Sequence, residues 1–372
     1  MDPEAKPAVQ SAELETPQTP MPGTPIEPML PDKKPSQKWS IIVLLVILLL
    51  LVGAYFMHKS ASTPSKSTLT NASITQSTTA TAKPETVAPK VEGLQLDPKK
   101  NYGNKYADGL LPVGDNKYVT DAAKKGYVYE CQNNFVPASQ AGAQNRGPWF
   151  TNNNTQWDVN KKSHISGSIN WTQQFSVVIQ NGKRIITTND LPNHPTGVFP
   201  VAASDPARVY DGNPNTISAQ TMVYSVASAP TYGSPQCMGG EVGVMLTGVA
   251  LFNGFDAGGR DAGAWEVQDN CDGHPQNKGE YHYHTLSKCI TDQSVKTVLG
   301  YALDGYPITG PKVGDKNFLT TDDLDECHGI VSDITLDNKT VTTYHYVMTE
   351  DFPYSASCFR ATAIQPPGKP EH

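Results

Sequence analysis

The chain has little positive charge to spare. Across its 372 residues, Asp and Glu outnumber Lys and Arg by 36 to 29, leaving a formal charge of -7. No long basic stretch occurs apart from lysines beside one apolar run, so the electrostatic footprint of a nucleic-acid-binding surface is missing. The chain also lacks a Gly-x-Ser-x-Gly elbow, a P-loop and a dinucleotide fingerprint, which removes the commonest hydrolase, nucleotide and NAD signatures. No CxxC spacing is present, so the cysteines do not read as a zinc finger. Long amphipathic periodicity is scarce, and no solenoid or propeller period is found; two Tyr-His-Tyr fragments are the only repeat legible in the sequence.

Composition divides what is there. Residues 1–38 hold nine prolines and scattered charge, a segment too poor in apolar surface to offset chain entropy, and read as a disordered cytoplasmic tail. Residues 39–57 are uncharged and nearly all apolar, nineteen residues against the ~20 that cross a bilayer core. A cleaved signal peptide would put its charge at the N-terminus and carry a shorter apolar region, so the run reads as a retained single-pass anchor. Lys33, Lys34 and Lys38 precede it while Lys59 and Lys66 follow, favouring a cytoplasmic N-terminus. Residues 58–93 form a Ser/Thr-rich stalk. A folded part begins near Leu94, read as 94–190 and 191–361, with 362–372 as a flexible tail.

All six cysteines lie in that folded part, an even count that suits three disulfides in an oxidising, extracytoplasmic compartment. Cys271 with Cys289 is the first pairing expected, because these two bracket a histidine-rich strand. Cys327 with Cys358 follows, and Cys131 with Cys237 by elimination. The fold class expected is mainly β, sandwich-like or α+β with few short helices. Phe175–Gln180, Arg184–Thr188, Gly243–Leu251 and Val341–Met348 are rich in β-branched and aromatic residues, and Asn181-Gly182, Asn253-Gly254 and Asp304-Gly305 punctuate them. Short helical pieces are expected within Arg260–Val267 and from Thr321.

Chemistry concentrates in Gly279-Glu-Tyr-His-Tyr-His. On a strand, His282 and His284 face one way and Tyr281 and Tyr283 the other, which makes half a metal site. His345, in Tyr344-His-Tyr346, is the third imidazole if its strand lies beside the first, and His274 and His328 are the next candidates. Imidazoles suit zinc or copper, and three leave a fourth position open. Asp304, Asp325 and Glu326 are the carboxylates available to hold the far ring nitrogens. Against this stands a structural role in which the histidines are hydrogen-bonded inside a polar core. Asp304-Gly305 also reads as a plain turn between strands, and Arg260-Asp261 and Arg360 as surface ion pairs or, less commonly, phosphate contacts.

The runs Gly254-Phe-Asp-Ala-Gly-Gly-Arg-Asp-Ala, Asp272-Gly-His-Pro, Tyr281-His-Tyr-His, Gly300-Tyr-Ala-Leu-Asp-Gly-Tyr-Pro-Ile-Thr-Gly-Pro, Leu324-Asp-Glu-Cys-His-Gly and Cys358-Phe-Arg are similar, in order and spacing, to the YHYH protein family over about residues 190–361. The resemblance implies an exported or membrane-attached protein and no particular activity. Two positions depart from the pattern: Val347 stands where a full second Tyr-His-Tyr-His would end in histidine, and Trp265 precedes Glu266 where an Ala-His-Glu run is expected.

Three functions follow as expectations. One is a surface module that binds a transition metal, copper or zinc. Another is a metal-assisted hydrolase or oxidase acting on envelope material. The third is an adhesin or wall-binding β domain, with Tyr127, Trp149, Phe150, Trp157 and Trp171 stacking on carbohydrate or, more economically, forming a β core. Expected partners are a membrane, through one helix, and a cell-envelope or extracellular ligand, with no nucleic acid.

Overall fold

A computed structural model describes residues 91–368. The Pro-rich tail, the apolar run 39–57 and nearly all of the stalk lie outside the described residues. Among the described residues no helix is long and apolar enough to cross a membrane.

The described residues are mainly β, with one four-residue α-helix, Ala262–Trp265, and a few 3-10 turns. Local turn chemistry explains several boundaries. Phe175–Gln180 and Lys183–Thr188 form an antiparallel hairpin around Asn181-Gly182, whose φ angles of 51° and 72° suit the right-handed twist of the strands. Met222–Ala227 adds a third strand to this sheet. Gly243–Leu251 reads as one strand in the sequence but is two, Glu241–Met245 and Ala250–Phe252. Thr247-Gly248 turns the chain between them, with Gly248 at φ 96°. Asp304-Gly305 is likewise the turn between Val298–Ala302 and Pro307–Thr309, with Gly305 at φ 92°.

The main sheet has eight strands, in the order Gly273–Pro275, Tyr281–Tyr283, Ala250–Phe252, Glu241–Met245, Val298–Ala302, Pro307–Thr309, Lys339–Val347, Gly329–Leu336. One expectation is overturned here. Lys339–Val347 does not lie beside Tyr281–Tyr283; it pairs antiparallel with Gly329–Leu336 and parallel with Pro307–Thr309, so four strands intervene. At the Gly329–Leu336 edge, Leu96 N donates to Val331 O and Val331 N to Leu94 O, at 2.9 and 2.6 Å, which covers an otherwise open strand.

The principal core draws on both 94–190 and 191–361: Trp149 and Trp157 are buried with Tyr281, Tyr283, Tyr344 and Tyr346. These tryptophans are therefore core residues. Trp149 Nε1 donates to Ala264 O at 2.8 Å, which seats the short helix against the core. Asp261 caps that helix by accepting from Ala264 N at 3.2 Å. Arg184, 2% exposed, makes a bidentate pair with Asp337 at 2.8 Å on both bonds and ties the three-stranded sheet to the long terminal hairpin.

All three cysteine pairings agree with the sequence expectation: Cys131–Cys237, Cys271–Cys289 and Cys327–Cys358. No described cysteine is free.

Candidate metal centre

The alternation of Tyr281-His-Tyr-His284 separates two tasks. On one face the tyrosines anchor the strand: Tyr281 Oη donates to Asp269 Oδ2 at 2.9 Å, and Tyr283 Oη to Thr247 Oγ1 at 3.1 Å. On the other face lie His282 and His284. Antiparallel pairing with Gly273–Pro275 puts His274 directly opposite His282, so three imidazoles share one face without a long loop. Their ligand atoms all lie within 4.8 Å of one another, and all three residues are buried.

A fourth group arrives from the short helix. Glu266 follows Trp265 at the helix C-terminus, and its Oε2 lies 3.3 Å from His284 Nε2 and 3.4 Å from His274 Nε2. His282 Nε2 lies 3.1 Å from His284 Nε2. A tetrahedral ion with bonds of about 2.0–2.1 Å separates its ligand atoms by about 3.3–3.4 Å. These three separations fall close to such edges, while the three imidazoles as a set span up to 4.8 Å.

Hydrogen bonding fixes one tautomer. His284 Nδ1 lies 2.6 Å from Asn253 O, a carbonyl that can only accept, so Nδ1 carries the proton and Nε2 presents its lone pair to the cluster. Phe252 covers His282, with ring centroids 4.3 Å apart. Neither ring nitrogen of His274 has a hydrogen-bond partner, and neither does Glu266 Oε2. Burial pushes His284 down to about 4 and His274 well below the usual imidazole range, while burial and the neighbouring Asp256 push Glu266 well above the carboxylate range. Neutral imidazole is the form that ligates.

The other sequence candidates lie elsewhere. His345 donates or accepts through both ring nitrogens, to Thr309 Oγ1 at 2.9 Å and Ser332 Oγ at 2.8 Å. His328 Nε2 meets Thr349 Oγ1 at 3.0 Å. Neither joins the cluster, because the strand that carries His345 and the turn that carries His328 belong to the opposite half of the sheet. Asp304, Asp325 and Glu326 do not brace the clustered imidazoles either. Asp304 accepts from Tyr346 Oη at 2.7 Å, and Asp325 and Glu326 pair with Arg360 Nη2 at 3.0 and 2.6 Å. Arg260 pairs with Asp256 at 2.6 Å, buried rather than on the surface. His194 gathers with Cys271 and Cys289, but those sulfurs are bonded to each other and do not act as thiolates.

Glu266 is the member of this cluster that the sequence reading did not select. The only signal it offered was its place in the Trp265-Glu266 departure from the family pattern.

Residues 223–320 match the family model described as YHYH protein, so a YHYH domain is present in the chain. That span contains Glu266, His274, His282 and His284. No curated protein and no solved structure matches the chain.

Proposed function

We propose that the YHYH domain binds one transition-metal ion, zinc or copper, through His274, His282 and His284, with Glu266 as the fourth ligand. The supporting observation is a buried imidazole, His274, with neither nitrogen hydrogen-bonded, beside a carboxylate oxygen in the same condition. Leaving such groups unpaired costs on the order of 1–3 kcal/mol each, and a metal supplies the missing partner. His328 and His345 provide the contrast: both are equally buried but satisfied by hydroxyls, which is what structural histidines look like in this protein.

With Glu266 at the fourth corner the shell is closed, the arrangement of ions that are held rather than of ions that activate water. This favours the binding module over the hydrolase or oxidase. Elemental analysis of the purified full-length chain tests the reading. About one equivalent of zinc or copper is expected, and less than about a tenth after reconstitution with both would remove it. His282→Ala/His284→Ala must abolish uptake; retention moves the site elsewhere.

The three disulfides support the further proposal that the domain resides in an oxidising compartment, displayed on the membrane by residues 39–57. Alkylation of the native protein before reduction tests the first point, since reaction at any of the six cysteines contradicts it.

A further inference from the structure

The eight-stranded sheet reads the same from either end. At its centre Glu241–Met245 pairs antiparallel with Val298–Ala302, Val244 opposite Tyr301. Outward on both sides follow an antiparallel, a parallel and an antiparallel neighbour. Details correspond across the centre. Leu246 N donates to Leu299 O at 2.7 Å, and Leu303 N to Val242 O at 2.9 Å. A Cβ on Gly243 would lie 2.6 Å from Tyr301 O, and one on Gly300 2.6 Å from Val244 O. Both inner hairpins carry a register shift, where Phe252 pairs with Glu241 and Thr309 with Val298.

The outer hairpins agree as closely. Asp269 Oδ1 accepts from Cys271 N and Gly273 N at 2.8 and 3.3 Å; Asp325 Oδ1 accepts from Cys327 N and Gly329 N at 3.0 and 2.8 Å. The same aspartates receive the hydroxyls of Tyr281 and Tyr344. Each cysteine starts a disulfide. His274 opposes His282, and Ile330 opposes His345 in the equivalent register. Val347 holds the place of His284, since Thr309 pairs with Val347 as the next step after Ile308 with Tyr346, the counterpart of Leu251 with Tyr283.

We infer that the sheet is two copies of one unit, and that positions 330, 345 and 347 are a second transition-metal site of the same design, closed by Ile330 and Val347. This rests on the metal reading of the first copy. In the second copy the two aliphatic side chains pack with Val295, Leu319 and Leu324 in a small separate core, so apolar burial replaces the cross-link that an ion provides. His345 survives on Thr309 and Ser332. No carboxylate takes the place of Glu266: Asp322 and Asp323 pair outward with Lys105 and Lys100. Ile330 and Val347 thus set the stoichiometry at one ion.

The test is metal content of the full-length chain after chelation and re-equilibration with zinc. One equivalent is expected for the natural sequence, two for Ile330→His/Val347→His, and one when those substitutions are added to His282→Ala/His284→Ala. If the natural sequence takes none, the reading of the first site falls. If it takes one and the folded Ile330→His/Val347→His protein takes no more, the inference falls alone. Should that variant not fold, the reverse exchange decides. His274→Ile/His284→Val is expected to fold, to bind no zinc and to melt at or above the metal-free natural protein, because the other copy already accommodates those side chains. A lower melting temperature than the metal-free protein overturns the equivalence.

Discussion

His274 and His282 face each other across two antiparallel strands, their rings 4.6 Å apart, although seven residues of chain and a turn separate them. The hairpin that joins them is also what the Cys271–Cys289 bond encloses. Chain topology, rather than an ion, brings these two imidazoles together, so the site is largely preformed.

A preformed site that binds only the folded state raises stability. At free metal one hundred times the dissociation constant the gain is about 2.7 kcal/mol, roughly 5–10 °C in melting temperature for a domain of this size. Chelation should lower the melting temperature by this amount in the natural protein. In His282→Ala/His284→Ala it should change nothing, as calorimetry with and without chelator will show.

Glu266→Gln preserves shape and removes the negative ligand. Losing even an outer partner of a metal ligand costs ten- to hundredfold in affinity, and loss of the fourth ligand should cost at least that. Competition against a chromophoric chelator measures it; an unchanged affinity would make Glu266 a bystander.

Replacing Cys271 and Cys289 with serine opens a bridge of sequence separation 18. Through the unfolded state this should cost about 3 kcal/mol, visible as a lower denaturant midpoint.

His345 supplies a pH signature free of the metal cluster. Burial holds it at about 4 in the folded protein, below the ordinary 6.5 of the unfolded chain. The unfolded state therefore binds the proton first. The neutral ring's contribution is fully present above about pH 6.5 and is lost as the pH falls toward 4, a loss on the order of 3 kcal/mol. Asp304, pushed up to about 6 by burial, contributes the opposite slope in the same window, but it does so equally in a His345→Gln variant. The natural protein should therefore be the more stable of the two near neutrality, with the gap closing as the pH falls to 4. A constant gap in urea titrations across that range would contradict the assignment.

Gly273→Ala should destabilise the histidine hairpin by about 1–3 kcal/mol, the usual cost of overpacking, because its Cβ would meet the Tyr281 ring. Gly329→Ala should do the same at Tyr344. A stability change within about 0.5 kcal/mol, the size usual for surface substitutions, would show that the ring can yield.

Much of this was legible in residues close together in the chain. Period-two alternation put His282 and His284 on one face, and cysteines bracketing that strand identified their own partner. Glu266 was not legible, because it reaches the site only through a four-residue helix held by Trp149, distant in sequence. His345 was misplaced for a related reason: an identical Tyr-His-Tyr fragment says what a strand presents, not which strand lies beside it. The correspondence of the two halves is not legible in the sequence because the strands that carry it are mostly short. Its retained residues are single Asp, Cys, Gly and Tyr positions, while the ligands themselves differ.

The backbone ladder at Leu94, Leu96 and Val331 has a mechanical consequence. Tension arriving along the polypeptide from residue 90 is delivered first to Gly329–Leu336, the last strand of the order, whereas His274 rides on the first. A pull on the chain N-terminal to Val91 therefore loads the edge remote from the imidazoles, and six strand boundaries separate that load from the hairpin that holds them.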